Sequence, residues 1–414
     1  DYRLTADVTW NLNAINVLKL GLSGNLFGLD RGNVLADGTQ SIRIPVYLGK
    51  ETGVENTIYA SEDLEIFPWL KMNAGVRLTL YNPLGPSEVL KYYPDGPKDI
   101  RYIEDTLFFK KNLPLKSYFE PDVRLTFNIK TDNEGSVKLA FIQTHQNLFI
   151  LNNTIALSPN AQWKLADYHI RPARGNQLSA GIFRTFPDKS WETSLECYFK
   201  KTFNAPEFID GADFLNNPHV ETMLVPADQK AWGIEFLLKR NNRKLEGWIA
   251  YTYSRVLVEA NGARTWEQLN NGNAYPANFD IPHVLNTVIN YHFSRRLTAS
   301  GIVTYQTGKP VTYPVSIYYI NEVPIVDYSD RNAYRIPDYF RIDLSVTIEG
   351  NLRKKKPVHN SLVLSLYNAT GRDNPYSVYF KSEQGKIRSY QYSVIGVPLF
   401  TATWMLKLGN YVAD

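Results

Sequence analysis

A two-residue hydrophobic period, sustained through unusually long runs, constrains this chain more than any other feature. In FRIDLSVTIE, Phe340, Ile342, Leu344, Val346 and Ile348 share one side, while Arg341, Asp343, Ser345, Thr347 and Glu349 share the other. VRLTFNIK repeats the pattern, with Val123, Leu125, Phe127 and Ile129 against Arg124, Thr126, Asn128 and Lys130. So does the start, with Tyr2, Leu4, Ala6, Val8 and Trp10 against Arg3, Thr5, Asp7 and Thr9. Successive side chains of a strand point to opposite faces, so such alternation encodes strands with one apolar and one polar face. The pattern places about fifteen strands, near 2–10, 16–27, 53–66, 71–82, 118–130, 136–149, 176–186, 190–203, 229–241, 244–256, 283–294, 297–308, 337–350, 360–371 and 397–408. Most exceed the five or six residues usual in globular sheets and match the roughly 9–11 of a tilted membrane strand.

The connections alternate in length. Short turns fall at Leu12–Ile15, Phe67–Leu70, Asp132–Gly135, Pro187–Lys189, Asn241–Arg243, Ser294–Arg296 and Asn351–His359. Between them lie 28–52, 83–117, 150–175, 204–228, 257–282, 309–336 and 372–396. Short periplasmic turns alternating with long extracellular loops are the habit of bacterial outer-membrane barrels. The expected fold class is all-β: an antiparallel transmembrane β-barrel, with residues 1–414 as one barrel domain. A mean hydropathy of −0.30 is compatible, because lumen-facing residues are polar. The 27 tyrosines suit interfaces that are apolar at one end and wet at the other. No run of 18 apolar residues offers a transmembrane helix. A net charge of +4 gives no case for nucleic acid, and a single cysteine, Cys197, excludes an internal disulfide.

Fifteen strands leave the first and the last running the same way, so they cannot close antiparallel, and bacterial single-chain barrels use even numbers. The opening Asp1-Tyr2-Arg3-Leu4-Thr5 already reads as a strand, without a signal peptide or initiator Met. Further strands are expected upstream.

Several segments resemble TonB-dependent receptors. Asn56-Thr57-Ile58-Tyr59-Ala60-Ser61-Glu62-Asp63 followed by Leu70-Lys71-Met72-Asn73-Ala74-Gly75-Val76-Arg77 is similar to a mid-barrel hairpin of that family, with Met72 in its second Leu position. Phe119-Glu120-Pro121, Ile170-Arg171-Pro172, Gln177-Leu178-Ser179-Ala180-Gly181 and Ser194-Leu195-Glu196-Cys197-Tyr198-Phe199-Lys200 continue the series. Gly247 to Ser254, Asp280-Ile281-Pro282-His283, Thr307-Gly308-Lys309-Pro310, Pro337-Asp338-Tyr339-Phe340-Arg341-Ile342-Asp343, Asn368 and Asn374-Pro375-Tyr376 complete it. The D-x-P-H and P-D-Y-x-R-x-D elements, in order, are the specific part. The nearest branch carries a carboxypeptidase-regulatory-like β-domain ahead of the plug. The resemblance implies a 22-stranded barrel filled by an N-terminal plug, of which this chain would be the C-terminal portion. It departs from the family in lacking a plug and a TonB box, and in ending on Val412-Ala413-Asp414 instead of an aromatic residue.

An enzyme is not expected. The histidines at 145, 169, 219, 283, 292 and 359 never reach metal-ligand spacing. Gly21-Leu22-Ser23-Gly24 lacks the spacing of a nucleophile elbow, and Gly308-Lys309-Pro310 lacks the Ser/Thr of a P-loop. No cofactor and no metal site is expected. His283 should open a strand and make a structural hydrogen bond. Cys197 shares a face with Trp191, Leu195 and Phe199 and should face lipid or a neighbour, as an inert thiol. Arg77, Arg124, Asn128, Lys130, Glu192, Glu196, Lys200, Arg341, Asp343 and Glu349 should face the lumen, pairing with cross-strand neighbours or a plug. The long connections carry Trp163, Tyr168, Trp266, Tyr275, Tyr318 and Tyr319, which could form a ligand platform or pack the loops together. The basic cluster Arg353, Lys354, Lys355, Lys356 reads as a solvated periplasmic turn.

The resemblance implies a Gram-negative outer-membrane receptor that imports a scarce ligand: an iron chelate, haem, cobalamin, a glycan or a peptide. Its implied partners are the TonB complex through the plug, outer-membrane lipid and lipopolysaccharide, with a surface lipoprotein left open and no nucleic acid. A passive porin-type channel and an adhesin or scaffold barrel are the alternatives.

Overall fold

The computed structural model describes residues 1–414 apart from 39–40, 43, 153–160, 188–189, 215, 322, 351–355, 384–385 and 412–414. Fifteen long strands form one antiparallel sheet in chain order. They are β1 Tyr2–Asn13, β2 Asn16–Asp30, β3 Lys50–Phe67, β4 Leu70–Leu84, β5 Tyr118–Lys130, β6 Gly135–Gln146, β7 Ala173–Thr185, β8 Trp191–Phe208, β9 Leu224–Asn241, β10 Leu245–Glu259, β11 His283–His292, β12 Leu297–Gln306, β13 Tyr339–Glu349, β14 Lys356–Tyr367 and β15 Leu399–Tyr411. Every strand expected from the two-residue period is present. Among the described residues there is no α-helix.

The pleat follows the sequence. On β13, Leu344, Val346 and Ile348 are 48, 36 and 42% exposed, whereas Asp343 is 7% exposed. The same outward apolar face carries Leu178, Ile182, Leu195 and Phe199, together with the exposed Cys197. A continuous exposed band of this kind marks a surface that meets lipid or a partner.

The short turns are closed by their own side chains. Asn13 Oδ1 accepts from Ile15 N at 3.0 Å, Asp132 Oδ1 from Glu134 N at 2.9 Å, and Ser294 Oγ from both Arg296 N and Leu297 N at 3.2 Å. These Asx- and Ser-type turns explain why Asn, Asp and Ser punctuate that rim. The turn expected at Asn351–His359 is shorter than the sequence reading, because β14 already begins at Lys356. Arg353, Lys354 and Lys355 lie outside the described residues.

The buried apolar core sits at the other rim. Tyr81, Phe149, Leu151, Ala166, Ile170, Ala212, Phe214 and Val220 form one cluster, and Val225, Ala227, Val258, Ala260, Leu269, Tyr275 and Ala277 another. Both are built from the long connections and the strand ends they join. The connections hold their own hairpins, Ser87–Tyr92 with Ile103–Phe109, Leu148–Leu151 with Gln162–Leu165, Pro314–Ile320 with Val323–Tyr328, and Pro375–Glu383 with Lys386–Ser393. Together they make a packed crown over the sheet. The sheet ends at β1 and β15, which form no ladder with each other, and all twelve residues of β1 are exposed.

The pleat predicts opposite outcomes for adjacent substitutions in a lipid bilayer. Leu344→Arg should cost roughly 2–4 kcal/mol, the penalty of arginine on a lipid face toward the midplane. Ser345→Arg, on the other face, should change stability by about 0.5 kcal/mol or less. Urea titration of the reconstituted full-length protein measures both.

Candidate functional site

The crown is held by a buried ionic network. Lys164, 3% exposed, reaches Asp167 Oδ2 at 2.6 Å, Glu51 Oε1 at 2.9 Å and the Leu165 carbonyl at 3.1 Å. Asp167 Oδ1 in turn accepts from His169 N and Ile170 N at 2.8 Å, closing a tight turn. Arg31 lies 3.7 Å from Glu51 and donates to the Pro218 carbonyl and Gln162 Oε1. Tyr81 and Tyr118 donate to the carbonyls of Ala166 and Asp167, at 2.8 and 2.6 Å. Burial alone would raise the Asp167 carboxyl, but Lys164 and the two backbone donors hold it below the usual range. Burial alone would lower the Lys164 ammonium, and its two carboxylates hold it above. Such a network stabilises only while complete, because a lone buried charge is costly.

Next to this network, sharing His169 and Ile170 with it, lies a cleft of about 730 Å³. Tyr92, Tyr93 and Lys98 come from one connection, Tyr168, His169 and Arg171 from a second, Glu221 from a third and Trp266 from a fourth. The volume lies in the range of small-ligand sites. Its acids are already engaged: Glu221 accepts from Tyr92 Oη at 3.1 Å and meets His219 at 3.4 Å, Asp99 chelates Arg101, and Glu267 accepts from Arg264 N. Lys98 and Arg171 make no ion pair within 4 Å among the described residues. Burial lowers the Lys98 ammonium and the His169 imidazolium, whereas the hydrogen bond to Glu221 raises His219. The cleft thus offers aromatic faces and two cations without a close ion pair.

Of the six aromatics expected as a ligand platform, two converge here, Tyr168 and Trp266. Trp163 is exposed on the hairpin opposite Ile150, and Tyr318 and Tyr319 are exposed on the Pro314–Ile320 strand. Tyr275 does not belong among exposed aromatics. It is 2% exposed, inside the second apolar cluster, with the Arg331 guanidinium 5.2 Å from its ring centre. Arg331, joined to Glu207 at 3.0 Å and Asp210 at 3.3 Å, walls a second cleft of about 840 Å³ lined by amide side chains and Tyr328 and Tyr379. The sequence did not single out Tyr92, Tyr93, Lys98 or Lys164, because nothing local in a loop tells which other loop it will touch.

The motif residues are joints of the crown. Asp280, fully buried, accepts from Val256 N at 2.7 Å and pairs with Arg335 from the next connection. Asp338 accepts from Tyr305 Oη at 2.7 Å and Gly308 N at 2.9 Å. Asp343 Oδ1 accepts from Asn368 N at 2.9 Å, while Asn374 both accepts from Phe340 N and donates to its carbonyl. His283 opens β11 and hydrogen-bonds Tyr251 Oη at 2.8 Å. The charges expected to face the lumen are partly self-paired: Arg77 with Glu55, Glu192 with Lys239, Glu349 with His359, and Arg341 with Asp343. Arg124, Lys130 and Glu196 stand exposed without such a pair among the described residues.

Removing the centre of the ionic network tests it. Lys164→Met should destabilise the crown locally by about 3–5 kcal/mol, since Asp167 is left mostly buried without its cation and Glu51 keeps only the more distant Arg31. Hydrogen exchange should quicken across 161–172 and leave β7 to β13 unchanged.

No family model matches the chain, and no curated protein matches it in sequence. Solved structures do match its fold. The ferric-catecholate import receptor Fiu of E. coli K12 aligns at a TM-score of 0.57 and 14% identity, covering 98% of this chain and 54% of that one. The ferripyoverdine receptor of the outer membrane of Pseudomonas aeruginosa aligns at 0.54 and 13%, covering 98% and 48%. The FrpB iron transporter of Neisseria meningitidis aligns at 0.54 and 10%, covering 96% and 54%. The chain spans about half the length of the receptors it matches, and the fold it shares with them is their barrel.

Proposed function

We propose that this chain is the C-terminal part of the barrel of a TonB-dependent receptor in the outer membrane of a Gram-negative bacterium, and that the whole protein imports a scarce ligand into the periplasm. One observation carries the reading: fifteen long strands with an apolar outer face, ordered as in import receptors over almost the entire chain, end in two edges that run the same way and do not pair. Unpaired edges in hydrocarbon cost several kcal/mol per backbone group, so more strands complete the wall in the whole protein. About seven would bring it to the 22 strands of a plugged transporter. The motif series further supports the branch with a carboxypeptidase-regulatory-like domain before the plug.

In this reading the barrel is scaffold and the crown is the outward binding surface. The cleft between Tyr92, Tyr168, Lys98 and Trp266 is the ligand site. The neighbours named for ferric catecholates and ferripyoverdine support an iron chelate among the open substrate classes. The TonB complex acts through a plug, and the fold supports transport in place of catalysis.

Planar-bilayer recording of the full-length protein separates this reading from a passive channel. A plugged receptor should show no steady conductance, and cellular uptake should disappear without TonB. A constitutive open conductance, or uptake indifferent to TonB, would establish the porin reading.

A further inference from the structure

Beneath the crown, on the face of the wall opposite the exposed Ile58, Leu80 and Phe119, one acid is buried without a cation. Glu120, on β5, is 3% exposed, and its Oε1 has no hydrogen-bond partner. It makes no ion pair among the described residues. Its Oε2 accepts from Asn147 Nδ2 at 3.1 Å. The same nitrogen donates to Glu55 Oε2, on β3, at 3.2 Å, so one amide group stands between two carboxylates. Asn147 is 6% exposed, and its own Oδ1 is also buried without a partner. The other oxygen of Glu55 is met by Asn25 at 3.2 Å and Arg77 at 3.4 Å. The nearby Asp122 is engaged by His145 at 2.7 Å.

A buried carboxylate with one hydrogen bond and no cation is costly, and a second carboxylate on the same amide adds repulsion. A metal ion removes both costs. Calcium lies about 2.3–2.6 Å from its oxygens, nearer than the roughly 2.8 Å of a hydrogen-bonded water. A space that closes Glu120 Oε1 and Asn147 Oδ1 to solvent therefore still fits the bare ion. Half a turn of the Asn147 amide about its Cβ–Cγ bond exchanges Nδ2 for Oδ1. The donor between the carboxylates then becomes a third oxygen ligand. Carboxylate and amide oxygens, without sulfur or imidazole, suit calcium and magnesium instead of zinc. Magnesium keeps several waters, which a place closed to solvent does not admit. Sequence spacing does not reveal the group, because its members come from β3, from β5 and from the residue just beyond β6.

We infer that Glu55, Glu120 and Asn147 hold a calcium ion. The inference is independent of which ligand the protein imports. Asn147 opens the hairpin of Leu148–Leu151 with Gln162–Leu165, and its carbonyl accepts from Ala166 N at 2.7 Å, at the hairpin's far end. The ion thus fastens both ends of that hairpin to β3 and β5, directly before the Asp167 turn that carries Tyr168 and His169 into the cleft.

The test uses the full-length protein in detergent, stripped of divalent ions by a chelator, with terbium as a luminescent stand-in for calcium. Tyr118 shares the face of Glu120 on β5, and Tyr81 is its cross-strand partner. Exciting tyrosine should therefore sensitise bound terbium. Calcium should displace it with a dissociation constant of about 0.1–1 mM, as in extracellular calcium modules. Glu120→Gln should weaken calcium by about tenfold or more, through the loss of one ligand charge. Asn147→Asp, which adds a carboxylate of the same shape, should tighten it by about tenfold. Glu196→Gln, an acid of β8 outside the group, should leave it unchanged. Absence of a calcium-displaced signal in the unmodified protein overturns the inference, and this result stands even if Glu120→Gln fails to assemble. Unaltered calcium affinity in assembled Glu120→Gln overturns it as well. So does Asn147→Asp without tighter binding, because a proton on Glu120, in place of a metal ion, gives no such gain.

Discussion

Backbone hydrogen bonding is the constraint from which the rest of this structure follows. A strand exposes an N–H and a C=O at every residue, and in hydrocarbon each must be paired inside the sheet because no water is there to replace the partner. Long, uninterrupted ladders answer that demand: β8 and β9 pair over almost their whole lengths, with one irregularity near Thr202–Ala205. Once the ladder is fixed, the pleat fixes which side chains face out. Leu195, Phe199 and Ile234 then share one face, and Glu192, Glu196 and Glu235 share the other. The wall is one sheet thick, so it contains no core. Apolar burial moves to the crown, where loops are deep enough to enclose Phe149, Leu165 and Val220.

That division also explains the charges. In the wall, ion pairs are cross-strand or along one strand, partly exposed, and worth little individually. In the crown, Lys164 is nearly closed off from solvent and Glu51 and Asp167 are mostly buried, bonded to backbone of one connection at Leu165, His169 and Ile170, while Arg31 beside Glu51 reaches the Pro218 carbonyl of another. Such a network fixes the relative position of loops that share no ladder. The cleft beside it inherits this rigidity, since Tyr168, His169 and Arg171 sit directly after the Asp167 turn. A cleft built from mobile segments would lose affinity for any ligand to ordering; on the proposed reading, the network does that ordering.

The wall was legible from sequence because its signal is local: two-residue alternation, turn residues, and the alternation of connection lengths. All fifteen strands, the exposed apolar side of β13, the exposed face of Cys197 and the structural hydrogen bond of His283 could be read this way. Strand ends were less legible. β3, β8 and β9 run to eighteen residues, because their upper ends continue into the crown, where both faces meet protein and alternation fades. Loop chemistry was least legible. Tyr275 reads as an exposed aromatic in a polar context, GNAY, yet it is buried by Val258 and Leu269 from the same connection and strand end. Nothing in the sequence singles out Lys164, and tertiary contact with Glu51 and Asp167 makes it internal. The motif residues Asp280, Asp338 and Asn368 were visible as motifs, but their role as joints needed the geometry.

The most direct measurement concerns the two edges. In the full-length protein with Cys197→Ser, paired cysteines can be placed at Leu4 and Leu406, outward positions of β1 and β15, and exposed to oxidant in isolated outer membranes. If further strands complete the wall, these two thiols are held apart and no disulfide forms, while a control pair at Leu362 and Trp404, register partners on β14 and β15, cross-links readily. Efficient cross-linking of positions 4 and 406 would mean that β1 and β15 are neighbours in a smaller closed barrel, contradicting the plugged-receptor architecture.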